Sequence, residues 1–149
     1  MLNTDFRDIL SAFNGEKVEY LVVGAYALAA HGFVRATGDI DLWIRCSEKN
    51  AENIIRALVK FGSPLFDLTT DDFIKPDLIF QIGIIPRRID ILTSIDGVTF
   101  EEAWALREEI VVDDIRIQVI SRQHLLQNKK KAGRPKDNAD VAWLENENR

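Results

Sequence analysis

Residues 18–44, VEYLVVGAYALAAHGFVRATGDIDLWI, decide the fold. Val18-Glu19-Tyr20-Leu21-Val22-Val23 is a strand-like run, Gly24 permits a sharp turn, and Ala25-Tyr26-Ala27-Leu28-Ala29-Ala30 has high helix propensity. After a loop, Gly38-Asp39-Ile40-Asp41-Leu42-Trp43-Ile44 reads as a second strand. Its period of two sends Asp39 and Asp41 to one face, while Ile40, Leu42 and Ile44 point into a core. Like charges on neighbouring same-face positions repel, and the chain relieves this either by protonating one carboxylate or by holding a cation between them. A hard divalent ion is the simpler relief: magnesium takes a few carboxylate oxygens, keeps its remaining waters and completes its shell with substrate phosphates. The glycine turn upstream opens a helix, so unpaired backbone N–H groups and the positive end of a dipole face outward there as a generic anion site.

The chain outside this unit supplies scaffold. Thr4 is placed to cap a first helix with Phe6, Ile9, Leu10 and Phe13 on one face and a stop at Asn14-Gly15. Ser47 opens another, with Ala51, Ile54, Ile55, Leu58 and Val59 expected on its buried side and an end at Phe61-Gly62. Residues 63–76 are turn-rich, with one helical turn expected near Asp71–Ile74, before a strand at Leu78–Ile82. In Arg87-Arg88-Ile89-Asp90-Ile91-Leu92, alternation sets Asp90 apart from Ile89 and Ile91, making it a third carboxylate to place beside Asp39 and Asp41. Thr99-x-x-Glu102 is a capping box for a helix running to about Arg107, and Val111-Val112 and Ile115–Val119 flank Asp113-Asp114 as a hairpin. Ser121 caps a helix that enters a basic stretch, 121–136, and a final helix, 137–149, packs Val141 and Leu144 inward.

The 149 residues fit a single domain, 1–149, able to bury about 70% of its unfolded surface without disulfides. One cysteine, Cys46, excludes an internal disulfide. No apolar run approaches eighteen residues, and Met1-Leu2-Asn3-Thr4-Asp5 is too polar for an export signal; a cytoplasmic location with no membrane association is expected. A net charge of −5 gives no general reason to bind nucleic acid, so any such contact would need a local basic patch.

Gly24-Ala25, the short helix, Arg35-Ala36-Thr37, Asp39-x-Asp41 and the later Asp90 together resemble the minimal nucleotidyltransferases of the DNA polymerase β-like superfamily. The resemblance implies an α/β (α+β) nucleotidyltransferase fold, a mixed β-sheet flanked by helices. It also implies Mg2+-dependent transfer of a nucleoside monophosphate from an NTP to a hydroxyl, with two ions expected and Mn2+ an alternative. Asp39, Asp41 and Asp90 would be both catalytic residues and metal ligands. Gly24, Ala25, Arg35 and Thr37 would meet the nucleotide. Lys131-x-x-Arg134-x-Lys136-Asp137-x-x-Asp140 is similar to a C-terminal motif of relatives that include toxin and antitoxin nucleotidyltransferases, which assigns Lys131, Arg134 and Lys136 to the triphosphate or to an RNA acceptor, with Arg87 and Arg88 in the same field. The acceptors so implied are a tRNA 3′ end or a toxin-type protein. Ala25 stands where the pattern carries Gly or Ser, and this departure favours the alternative of a catalytically weak, antitoxin-like binding module. His31, at a helix end, reads as a dipole partner rather than a catalytic group, and Trp43, Trp104 and Trp143 as packing residues.

Overall fold

The computed structural model describes residues 2–34 and 37–147. Its elements are α1 (Thr4–Gly15), β1 (Tyr20–Val23), α2 (Gly24–Ala30), β2 (Asp39–Ile44), α3 (Glu48–Phe61), β3 (Ile79–Ile82), β4 (Arg88–Leu92), α4 (Phe100–Ala105), β5 (Glu108–Val112), β6 (Ile115–Val119), α5 (Arg122–Ala132) and α6 (Asn138–Glu147). The strands form a single mixed sheet in the order β3-β4-β2-β1-β6-β5. β2 lies antiparallel to β1 and parallel to β4, and β1 also runs parallel to β6. β3 and β5 are antiparallel edges.

Alternation works as expected along the central strands: Ile40, Leu42, Ile44, Ile89 and Ile91 are buried in one core with Phe6, Ile9, Leu10 and Phe13 of α1 and Ala51, Ile54 and Leu58 of α3. Trp43 is buried edge-on against Phe100. Trp104 stacks on Phe100, and Trp143 stacks on Phe33 beneath the Arg122 guanidinium, so all three tryptophans pack. The β5–β6 turn has positive φ at both Asp113 (49°) and Asp114 (67°), the conformation that matches a two-residue turn to the twist of its strands.

Several local expectations are corrected. Asn3, not Thr4, caps α1: its Oδ1 accepts the Phe6 N–H at 2.9 Å, and Thr4 is already helical. Val59 is 60% exposed, because it lies about 100° around the helix from Leu58, which holds the core position. The helical turn in the 63–76 segment spans Thr70–Phe73 and buries Phe73. α4 stops at Ala105, freeing Arg107 to lie 3.7 Å above the Trp104 ring. Asp137 belongs to a 3₁₀ turn, Pro135–Asp137, that precedes α6 rather than to α6 itself. Leu144 is fully buried, whereas Val141 is only half-buried. No helix among the described residues is long and apolar enough to cross a membrane.

Candidate functional site

The sheet register assembles the acidic cluster. β1 places Val23 opposite Asp41, and β4 places Arg88 opposite Asp39 and Asp90 opposite Asp41. Since apolar burial fixes Ile40, Leu42, Ile89 and Ile91 on the core face, the intervening Asp39, Asp41 and Asp90 must share the other one. One carboxylate oxygen from each lies within 4.8 Å of the others. Gly24 follows directly, with φ +69°, and a Cβ at that position would collide with Asp41 Oδ2. Glycine is therefore required twice here, for the left-handed backbone and for the close approach of the carboxylate.

Two electrostatic consequences follow. Burial, then the neighbouring Asp39 and Asp90 charges, push the Asp41 carboxyl up from its ordinary 3.8 to about 7. Burial also raises Asp90, against the lowering influence of Arg88. Arg88 is the internal answer to the repulsion: its Nη2 donates to Asp39 Oδ2 at 3.0 Å and to Asp90 Oδ2 at 3.2 Å, and its Nε donates to Asp90 Oδ1 at 3.0 Å. The sequence alone assigns Arg88 only to a general basic field. The available signal was its spacing of two from Asp90, which puts both on one strand face.

A cavity of about 680 Å³ is lined by this cluster together with Gly24, Ala25 and, from the C-terminal segment, Lys129, Arg134 and Lys136. Thr37 does not line it; the Thr37 hydroxyl lies 3.1 Å from the Asp39 carbonyl oxygen and 3.3 Å from Asp39 Oδ1, where it braces that aspartate. Arg35 lies outside the described residues. Arg87 is exposed and 4.0 Å from Asp5, away from the cluster. His31 ends α2, its Nε2 2.7 Å from the Ile120 carbonyl oxygen, in a packing role. A second cavity of about 600 Å³ runs along β3; its lining is mainly apolar, with Asp67 and Asp72 its charged residues and no cation among them.

The C-terminal wall differs from the expected one. Lys131 is exposed, with its stem against Gly97, and does not line the cavity. Lys129 does, because it falls four residues after the buried Leu125 on the inward face of α5. Its Nζ sits 3.3 Å from Asp137 Oδ1 and 3.2 Å from Asp140 Oδ2, all three side chains being almost fully buried. Arg134 adds two bonds to Asp137, at 2.8 and 3.2 Å. Burial alone would raise Asp137, but Arg134 and Lys129 outweigh it and hold the carboxyl below its ordinary range.

No protein-family model matches the chain, and no curated protein matches it significantly. Among solved structures it is similar to a Thermotoga maritima protein provisionally assigned as a nucleotidyltransferase, with a TM-score of 0.61 and 18% identity over 95% of this chain and 90% of that one. The likeness establishes the fold: a six-stranded mixed sheet flanked by helices, of nucleotidyltransferase-like type.

Two outcomes are expected. Lys129→Ala leaves Asp137 and Asp140 buried without their shared cation and should cost about 3 kcal/mol in urea denaturation, whereas Lys131→Ala stays within about 0.5 kcal/mol of wild type; equal effects would contradict this division of roles. For Asp41, the folded protein holds its proton more tightly than the unfolded chain. That stabilisation is complete below 3.8 and is lost as pH rises through about 7. In metal-free buffer Asp41→Asn should therefore melt above wild type near pH 8, with the gap narrowing toward pH 5, as followed by circular dichroism; a gap independent of pH contradicts it.

Proposed function

We propose that the chain is a nucleotidyltransferase that moves a nucleoside monophosphate from an NTP to a hydroxyl of a macromolecular acceptor, a tRNA 3′ end or a toxin-type protein, and releases pyrophosphate. The reading is carried by one observation: three carboxylates from neighbouring strands converge within 4.8 Å at the lip of the Gly24 turn. On this reading residues 1–149 form one cytoplasmic catalytic domain.

The donor set suits a hard divalent cation, Mg2+ or Mn2+, because it offers only carboxylate oxygens, three acids gathered around the single cation Arg88. Asp39, Asp41 and Asp90 would hold it, as one or two ions. Bound there, such ions neutralise polyphosphate charge and favour in-line displacement at the α-phosphorus. The remaining work falls to the chain itself. Gly24 and Ala25 offer backbone N–H groups to the triphosphate, and Ala25 supplies no hydroxyl. Arg134 and Lys136 approach from the opposite wall as phosphate partners. On this reading Asp90 takes the acceptor proton as the new oxygen–phosphorus bond forms and the bond to pyrophosphate breaks.

A second reading, a binding module of antitoxin-like character, is favoured by Ala25 and by the Arg88 ion pairs on two of the three carboxylates. Incubation with α-labelled ATP, CTP, GTP or UTP, Mg2+ and total RNA or a candidate protein separates the two. Transfer of label that falls at least about 100-fold in Asp39→Asn and Asp41→Asn supports the enzyme. Transfer indifferent to both substitutions removes this mechanism, and tight partner binding without transfer favours the module.

A further inference from the structure

We propose that Arg88 is a positioning residue that occupies the cation subsite from within: its guanidinium holds Asp39 and Asp90 together in the metal-free protein and leaves them when a divalent ion enters. The inference rests on the metal-dependent reading above and goes beyond it. The fork of Arg88 makes three bonds to the two aspartates, at 3.0, 3.0 and 3.2 Å, and so uses three of their four oxygens. A divalent ion coordinated by Asp39 and Asp90 would therefore compete with the guanidinium for these oxygens.

The geometry also permits release. Arg88 is fixed by its backbone in β4, opposite Asp39, but its side chain is 28% exposed and reaches the aspartates from the edge of a cavity of about 680 Å³. The Arg88 and Asp39 side chains are partly solvated, at 28% and 27% exposure, so release begins at Asp39, while the two bonds to the buried Asp90 are given up only as a cation replaces them. Without a counter-ion, repulsion would spread the three carboxylates; with Arg88 in place, they stay near the spacing a metal requires. Once released, the guanidinium remains on the cavity wall as a planar donor matched to phosphate oxygens.

The test uses the full chain, stripped with EDTA and labelled with 15N. The Arg88 Nε–H resonance is assigned by its loss in Arg88→Lys, and Mg2+ is added while calorimetry follows saturation. The resonance should leave its ion-paired position as Mg2+ binds. In parallel, Mn2+ should bind Arg88→Gln about tenfold more tightly than wild type, since the internal competitor is gone. If Arg88→Gln does not fold, Arg88→Lys carries the comparison: an ammonium on a shorter, differently shaped side chain does not reproduce the three forked bonds of the guanidinium, so Mn2+ still binds more tightly than to wild type. Saturation by Mg2+ with the resonance unmoved, or equal Mn2+ affinities, overturns the inference and leaves the metal-dependent reading intact. Failure of either ion to bind wild type or variants overturns both.

Discussion

Repulsion among three carboxylates is the constraint on which the arrangement depends. Asp39 and Asp90 are separated by about a third of the chain, yet the parallel pairing of β2 with β4 sets Asp41 beside Asp90 in a partly dry cleft. Nothing local favours that meeting; burial of the alternating isoleucines and leucine enforces it. A slip of one residue in either strand would send the acids into the core and the apolar side chains into water, so the register that stabilises the sheet also assembles the cluster. The tension appears as the raised Asp41 carboxyl, the forked grip of Arg88 and the strict need for glycine at position 24.

A second charged centre faces the first across the cavity with the opposite design. Lys129 is buried between Asp137 and Asp140, with Arg134 on the outer side of Asp137, so each acid has a basic partner. That network ties α5 to α6, and Arg134 and Lys136 line the same cavity as the acidic cluster. The result is a cleft lined by both a carboxylate cluster and cationic groups. Metal-bound polyphosphate carries both matching charges.

The strand–turn–helix–strand unit was legible in the sequence because each signal in it is local: alternation in 39–44, the glycine before a run of alanines, the capping residues Ser47, Thr99 and Ser121. The three aspartates could be picked out for the same reason, since period two separates them from their apolar neighbours. What stayed hidden depended on helix phase or on tertiary pairing. Lys129, Lys130 and Lys131 look alike in a row, and only the rotation of α5, set by Leu125, turns Lys129 inward and Lys131 out. Arg88 required the register of β4 against β2 before its partners were known. Thr37 was expected at the nucleotide, but its hydroxyl is engaged by Asp39, a contact that depends on how the chain enters β2. Hydrophobicity groups Val59 with Leu58, but adjacent helical positions face different ways and only Leu58 is buried.

The central claim is that the acidic cluster and the Gly24 turn form one nucleotide site. A crystal structure of the full chain with Mg2+ and a non-hydrolysable NTP analogue tests it most directly. The triphosphate should lie against the Gly24 and Ala25 backbone N–H groups, with Asp39, Asp41 and Asp90 in contact with metal and Arg134 turned toward phosphate oxygens. A nucleotide bound elsewhere, such as along β3, with the three aspartates free of metal, would contradict it.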